Sequence, residues 1–215
     1  MRGRSYTFKQ RLFTAAVPVL WMMGGYYATQ RMAWRPIWWL DIGALEEWVP
    51  FKPNAVWIYG TFHAWFLLPF FVLRNRPQIR RYAWAFFWVA TISIGIFVLF
   101  PTGVVRPEIA GDIPWPYHLC RQLDLPRNGF PSLHASITVL SAAFLHRASQ
   151  SLVRASFWRT MIWMWVAAIC WSCIALRQHV ALDVLGGILI GVAAAWIAVR
   201  PPAEPQSEQT ATASA

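Results

Sequence analysis

Apolar residues fall in six long runs, near 12–29, 55–73, 82–100, 132–146, 160–177 and 180–199, separated by shorter polar stretches. Crossing about 30 Å of hydrocarbon takes roughly 20 mostly apolar residues in a helix. The runs are continuous and lack strict alternation, so they predict helices and not the strands of a membrane barrel. The fourth and fifth are short and carry Ser, Thr or His, which makes them the weaker hydropathic segments. The expected fold is an all-α integral membrane protein, a bundle of six transmembrane helices forming one domain over 1–200. The stretch 201–215 is Pro, Ala, Glu, Ser, Gln and Thr without an apolar face, a composition that predicts a disordered tail. There is no internal repeat.

Composition agrees with this pattern. Hydrophobic residues make up 57% of the chain and charged residues 13%, too little polar surface to solvate a domain of this size in water. The N-terminal stretch has a basic region and an apolar run like a signal peptide. It lacks a convincing small-residue cleavage site, so it is expected to remain as the first helix.

Charge predicts orientation. Arg2, Arg4, Lys9 and Arg11 precede the first run; Arg74, Arg76, Arg80 and Arg81 lie between the second and third. Arg147, Arg154 and Arg159 lie between the fourth and fifth, and Arg200 follows the sixth. The short loops on that side carry no acid, which predicts cytoplasmic N and C termini in a bacterial-type inner membrane. On the opposite side Arg31, Arg35, Lys52, Arg106, Arg121, Arg127 and Arg177 are balanced by Asp41, Glu46, Glu47, Glu108, Asp112, Asp124 and Asp183. The net charge of +10 therefore reports topology. Nucleic-acid binding would call for a basic solvated domain with a recognition motif.

The two outer segments, 30–54 and 101–131, are rich in Trp and Pro. Trp34, Trp38, Trp39 and Trp48 fit an interfacial aromatic belt, with the lining of an acyl chain's path as the alternative. Cys120 is on the outer side, whereas Cys170 and Cys173 lie within a run. They form neither a disulfide framework nor a paired CxxC metal site, and a Cys120–Cys173 bridge is the one pairing left open. Gly187 and Gly191 have the GxxxG spacing that lets helices pack closely.

Polar residues at membrane depth are expensive, which singles out Arg177, His179 and Asp183 where the fifth and sixth runs meet. Four residues separate His179 from Asp183, placing both on one face of a helix, one turn apart. A carboxylate there can accept the Nδ1 proton, fix the tautomer and leave Nε2 for a substrate. By itself such a pair is more simply read as a polar lock between helices. A second histidine, His134, changes that balance. It follows Pro131 and Ser132 at the start of the fourth helix, also on the outer side. Ser132 is placed to cap that helix, whose free N–H groups and positive dipole end suit an anion. The Arg177 guanidinium can grip two phosphate oxygens at once. Arg106 in the outer loop is a second candidate, with Arg127 behind it, although a single loop arginine is more commonly solvated. Phosphoryl transfer needs positioning and charge stabilisation above all.

Phe130-Pro131-Ser132-Leu133-His134 and Arg177-Gln178-His179-Val180-Ala181-Leu182-Asp183 resemble the second and third signature motifs of the type-2 phosphatidic acid phosphatase superfamily, whose members share a six-helix membrane core. Leu133 after Pro-Ser, and Arg177-Gln178 before the histidine, are similar to the branch that also contains inositol phosphorylceramide synthases. So is the segment Asp41 to Tyr59, with Val49-Pro50-Phe51-Lys52-Pro53 and Trp57-Ile58-Tyr59. The resemblance runs from about Asp41 to Gly191. It implies that His179 attacks phosphorus to form a phosphohistidine, that Asp183 orients that imidazole, and that His134 protonates the leaving alkoxide. Ser132 and Arg177 would hold phosphate oxygens, and no metal or other cofactor is implied.

Two positions depart from the family pattern. Arg106-Pro107 is present, but Leu99 stands where the first motif has a lysine. Ser172 is followed by Cys173 where the third motif has arginine, and Arg177 is the candidate to supply the missing charge. A zinc site built from His134, His179 and Asp183 is the rival chemistry. The expected function is hydrolysis of a lipid phosphate monoester or diphosphate at the outer face. Transfer of a phospho-headgroup between lipids is the close alternative, and a non-enzymatic lipid carrier or scaffold the rival from another class. Lipid phosphate and membrane lipids are the expected partners, and nucleic acid is not.

Overall fold

The structure is a computed structural model describing residues 6–32, 35–41, 43–108 and 111–199. Trp34, Arg200 and the 201–215 tail lie outside the described residues. Helix α1 runs Phe8–Arg31, followed by strand β1 (Trp38–Leu40) and the single turn α2 (Ala44–Glu47). A 3₁₀ turn at Pro53–Ala55 leads into α3 (Val56–Gly60) and α4 (Phe62–Val72), and α5 spans Arg76–Leu99. Strand β2 (Thr102–Val104) and α6 (Trp115–Leu123) follow, before α7 (Leu133–Ala148), α8 (Ala155–Ala175) and α9 (Ala181–Val199).

The helical runs therefore fall where the apolar pattern puts them. Among the described residues four are long and apolar enough to cross a membrane: Pro53–Val72, Arg76–Leu99, Ala155–Ala175 and Ala181–Val199. Helix α7 has only 16 residues, and its composition has a physical reason. It is the centre of the bundle, packed against α4, α5, α8 and α9, and nearly every residue from Leu133 to Leu145 is buried. A helix sheathed in protein needs no lipid-facing surface. Two of its hydroxyls bond to the helix's own backbone: Ser136 Oγ donates to the Ser132 carbonyl (2.6 Å), and Ser141 Oγ to that of Ile137 (2.7 Å). Helix α1 is long enough, at 24 residues, and exposes Phe13, Val17, Leu20 and Trp21 along its length. The polar residues at both its ends dilute its apolar character.

Close approach of α9 to α7 depends on missing side chains. A Cβ on Gly187 would collide with the Ser132 carbonyl and lie 2.9 Å from the Ala135 Cβ; one on Gly191 would meet the Ser136 carbonyl at 2.5 Å. The GxxxG pair is thus a packing device between these two helices.

At the end of the bundle where α1 begins, Arg11 Nη1 donates to the carbonyls of Phe70 (2.8 Å), Phe71 (3.1 Å) and Leu73 (2.7 Å), satisfying the C-terminus of α4. The Arg76 guanidinium lies 5.0 Å from the centre of the Tyr6 ring. At the other end the fold adds what an all-α reading leaves out. Strands β1 and β2 pair in parallel with Trp38 opposite Thr102 and Leu40 opposite Val104, tying the segments after α1 and after α5 together. Trp38, Trp39 and Trp48 are exposed on this end, as an aromatic belt requires. All three cysteines are free thiols.

Candidate active site

Helix α8 ends one turn before the chemistry. Arg177 takes φ +54°, a left-handed conformation that costs a non-glycine residue about 1–2 kcal/mol. The amides of Gln178 and His179 both turn back to the Cys173 carbonyl, at 3.1 and 3.2 Å. This reversal presents His179 in the turn before α9, not on the helix itself as the spacing alone suggests. The pairing with Asp183 is nonetheless made. Asp183 sits in the first turn of α9, where its Oδ2 accepts the Val180 amide (3.1 Å) and lies 3.4 Å from His179 Nδ1.

The hydrogen bonds fix the tautomer. His179 Nδ1 also lies 3.1 Å from the Gly129 carbonyl, which can only accept, so Nδ1 carries the proton. Nε2 then holds a lone pair. It is buried and has no hydrogen-bond partner among the described residues, although buried polar groups are almost always paired.

Facing it from α7, the His134 ring lies 5.8 Å from that of His179, centre to centre. His134 stacks on Tyr59 (4.3 Å) and packs against Phe62 (4.4 Å). Ser132 caps α7 as its position suggests: its Oγ accepts the Ala135 amide at 3.3 Å. Its own amide donates to the Asp183 carbonyl at 2.9 Å.

The arginines divide. Both terminal nitrogens of Arg177 donate to backbone carbonyls, Nη1 to Glu46 (2.9 Å) and Nη2 to Val49 (3.0 Å). The Glu46 side chain in turn accepts the Ala181 amide. Arg177 therefore braces the segment from α2 to α3 against the α8–α9 turn. Arg106 donates to the Asp124 carbonyl and to the side-chain oxygen of Gln178, the residue next to His179, and its buried Nε has no partner among the described residues. Arg127 donates to the Met32 carbonyl at 3.3 Å, just past the end of α1. Leu99, where the family's lysine would be, is half exposed. Among the described residues, no three His, Cys, Asp or Glu side chains are grouped to hold a metal ion.

Two further residues belong to this cluster. Asp124, just after α6, accepts from Tyr26 Oη (2.6 Å), Gln30 Nε2 (2.7 Å) and Tyr59 Oη (2.8 Å). Burial opposes its charge, but the His134 imidazole, the Arg106 guanidinium and the Tyr26 hydroxyl outweigh burial and hold its carboxyl below the usual range. The sequence carried a weak signal for it, an outer-side acid ten residues before His134. Tyr59 appeared only within a stretch of family likeness. Neither stands out, because their link to His134 is made through space.

Asp124 and His134 line one side of a cavity of about 470 Å³. The rest of its wall is mainly apolar and aromatic, including Met23, Trp57, Phe62, Trp115 and Leu123. Trp57 and Trp115 meet edge to face at 6.3 Å and are both exposed. These two, and not Trp38, Trp39 or Trp48, are the tryptophans that line the cavity.

No curated protein and no solved structure matches the chain. The family comparison is positive: the model of the PAP2 superfamily, which includes lipid phosphatases and related phosphotransferases, matches residues 13–204. With nearly its whole length matched, and the two histidine motifs joined at one end of a helical bundle, the chain belongs to the PAP2 superfamily.

Proposed function

We propose that the protein is a six-span membrane enzyme that hydrolyses a lipid phosphate monoester or diphosphate at the outer face of the membrane, through a phosphohistidine. The observation that carries this reading is the buried, unpartnered lone pair of His179 Nε2, with Asp183 at the other ring nitrogen and a second imidazole opposite. The Nε2 lone pair attacks phosphorus as the ester P–O bond breaks, and His134 gives its proton to the departing alkoxide. Asp183 stabilises the charge that His179 acquires. Water then attacks phosphorus as the P–N bond breaks, His134 takes a proton from it, and inorganic phosphate leaves with the His179 lone pair restored.

The N-terminal amides of α7 beside Ser132, together with Arg106, hold the phosphate oxygens. Arg177 acts at one remove, by fixing the turn that carries His179. Arg127 is a further cation for the headgroup, two residues before Gly129, whose carbonyl meets His179 Nδ1. The aromatic cavity holds the apolar portion of the substrate next to His134. Transfer to a lipid hydroxyl is the second reading, favoured by the same apolar wall, which suits an acyl-bearing acceptor as well as an acyl-bearing donor.

The test is purified protein in detergent, given phosphatidate, a lipid diphosphate, and a phosphoinositide with ceramide, with inorganic phosphate and transferred headgroup measured together. Phosphate release that persists in a metal chelator is the expected result. Headgroup transfer without phosphate release would replace hydrolysis by the second reading. Lipid binding with neither product would make the protein a carrier.

A further inference from the structure

We infer that Asp124 and Tyr59 are positioning residues for His134, forming a carboxylate–phenol–imidazole relay that holds its proton on Nδ1 and aims Nε2 at the leaving group. This rests on the phosphatase reading above. His134 has no carboxylate beside it in the sequence, unlike His179, and a proton donor in a buried site needs something to favour its charged form.

Bond directions follow from which groups can donate. Asp124, with its carboxyl held ionised, only accepts, so the Tyr59 hydroxyl proton points to Asp124 Oδ2 at 2.8 Å. The Tyr59 oxygen is then left as an acceptor. It lies 3.3 Å from His134 Nδ1, which must supply the proton between them. The His134 proton is thereby fixed on Nδ1, and Nε2 is free to carry the one that is transferred. Imidazolium at His134 has its charge answered by Asp124 across one phenol. The other charged and titratable groups around it are His179, His63 and Arg106.

Asp124 is itself overdetermined in a way that suits this role. Tyr26 and Gln30 of α1 both donate to its Oδ1, leaving Oδ2 for Tyr59. Asn128 Nδ2 donates to the Tyr26 carbonyl (3.1 Å) and to Thr29 Oγ1 (2.8 Å), locking the end of α1 against the loop that leads to His134. Two elements, α1 and α3, thus converge on one carboxylate at the start of the α6–α7 loop, whose second oxygen is linked through Tyr59 to the ring. His179 receives its carboxylate directly and His134 receives one through a phenol, so the two histidines are tuned separately.

The experiment follows release of the leaving group in a single turnover, before water attack, and compares Tyr59→Phe, Asp124→Asn and His134→Ala with the wild type on phosphatidate, whose leaving alkoxide needs a proton, and on p-nitrophenyl phosphate, whose leaving group does not. Tyr59→Phe and Asp124→Asn should lower the single-turnover rate on phosphatidate roughly ten- to a hundredfold, a part of the 10²–10⁴ that general acid catalysis supplies in full, with the half-saturating concentration little changed. On p-nitrophenyl phosphate the loss should stay within about threefold. Adding Tyr59→Phe to His134→Ala should cause no further loss. Equal losses on both substrates, or losses that multiply in the double variant, would overturn the relay.

A second measurement does not depend on turnover. The chain has five histidines, so the ¹⁵N signals of histidine-labelled protein can be assigned by single substitutions. His134 should show Nδ1–H in the wild type and lose that preference in Tyr59→Phe. An Nε2–H tautomer in the wild type, or no change in Tyr59→Phe, would overturn the proposal. Wild-type protein with the expected tautomer but inactive on both substrates would instead remove the phosphatase reading, and with it the catalytic role of the relay.

Discussion

The backbone amide of Ser132 donates to the carbonyl of Asp183 at 2.9 Å, so the two histidine motifs are joined directly, main chain to main chain. That bond exists because Gly187, one turn further along α9, has no Cβ to hold the helices apart. Gly187→Ala and Gly191→Ala should each cost about 1–3 kcal/mol as overpacking, lower the melting temperature in detergent and reduce activity as the histidines separate. Gly24→Ala and Gly95→Ala, where a new Cβ would meet nothing within 4 Å, should be neutral or slightly stabilising as helix-interior changes. Equal melting temperatures across all four would remove the packing role of the GxxxG pair.

His179→Asn should abolish turnover and leave the melting temperature nearly unchanged, since an amide cannot form the phosphoenzyme. Asp183→Asn should be less severe in rate, because it loses imidazolium stabilisation and admits the wrong tautomer. It should also cost stability, because Oδ2 caps the Val180 amide. Wild-type rates in His179→Asn would rule out this nucleophile.

Orientation can be tested with single cysteines in a cysteine-free background. Asp112→Cys should react with an impermeant thiol reagent in intact spheroplasts and Gln78→Cys should not, as the bias of basic loops demands. The opposite labelling pattern would invert the protein in its membrane.

The Asp124 carboxyl lies below the ordinary carboxylate range, so it is ionised in the folded protein under conditions where the unfolded chain begins to bind a proton. Its stabilising contribution is fully present above the unfolded value of about 3.9 and is lost as pH falls through its own lower value. The melting-temperature gap between wild type and Asp124→Asn should therefore be constant from pH 8 to pH 5 and close only below about pH 4. A gap that closes nearer neutrality would show that Asp124 is not held ionised by its partners.

What the sequence alone determined is whatever repeats along the chain or sits within one turn of itself. Apolar runs located every long helix, because hydropathy acts residue by residue. The four-residue step from His179 to Asp183 survived even though the histidine lies outside α9, because a helix's first turn reaches back over the turn before it. Ser132 as a cap is equally local. The central position of α7 was half legible: its Ser, Thr and His content marked it as unlike the others, but only its neighbours reveal that it needs no lipid face.

Tertiary structure decided everything that depends on residues far apart in the chain. Arg177 reads as a phosphate ligand from its place beside His179, yet its guanidinium is committed to carbonyls more than a hundred positions away. Trp38 and Trp39 became part of a strand pairing that no local pattern announced, while Trp57 and Trp115 came to line the cavity. Asp124 and Tyr59 lie 65 positions apart and share one proton with neither motif in view. Long-range pairs of this kind are formed when helix ends are brought together by packing, and packing is set by shape in three dimensions, of which a single sequence carries only the one-dimensional shadow.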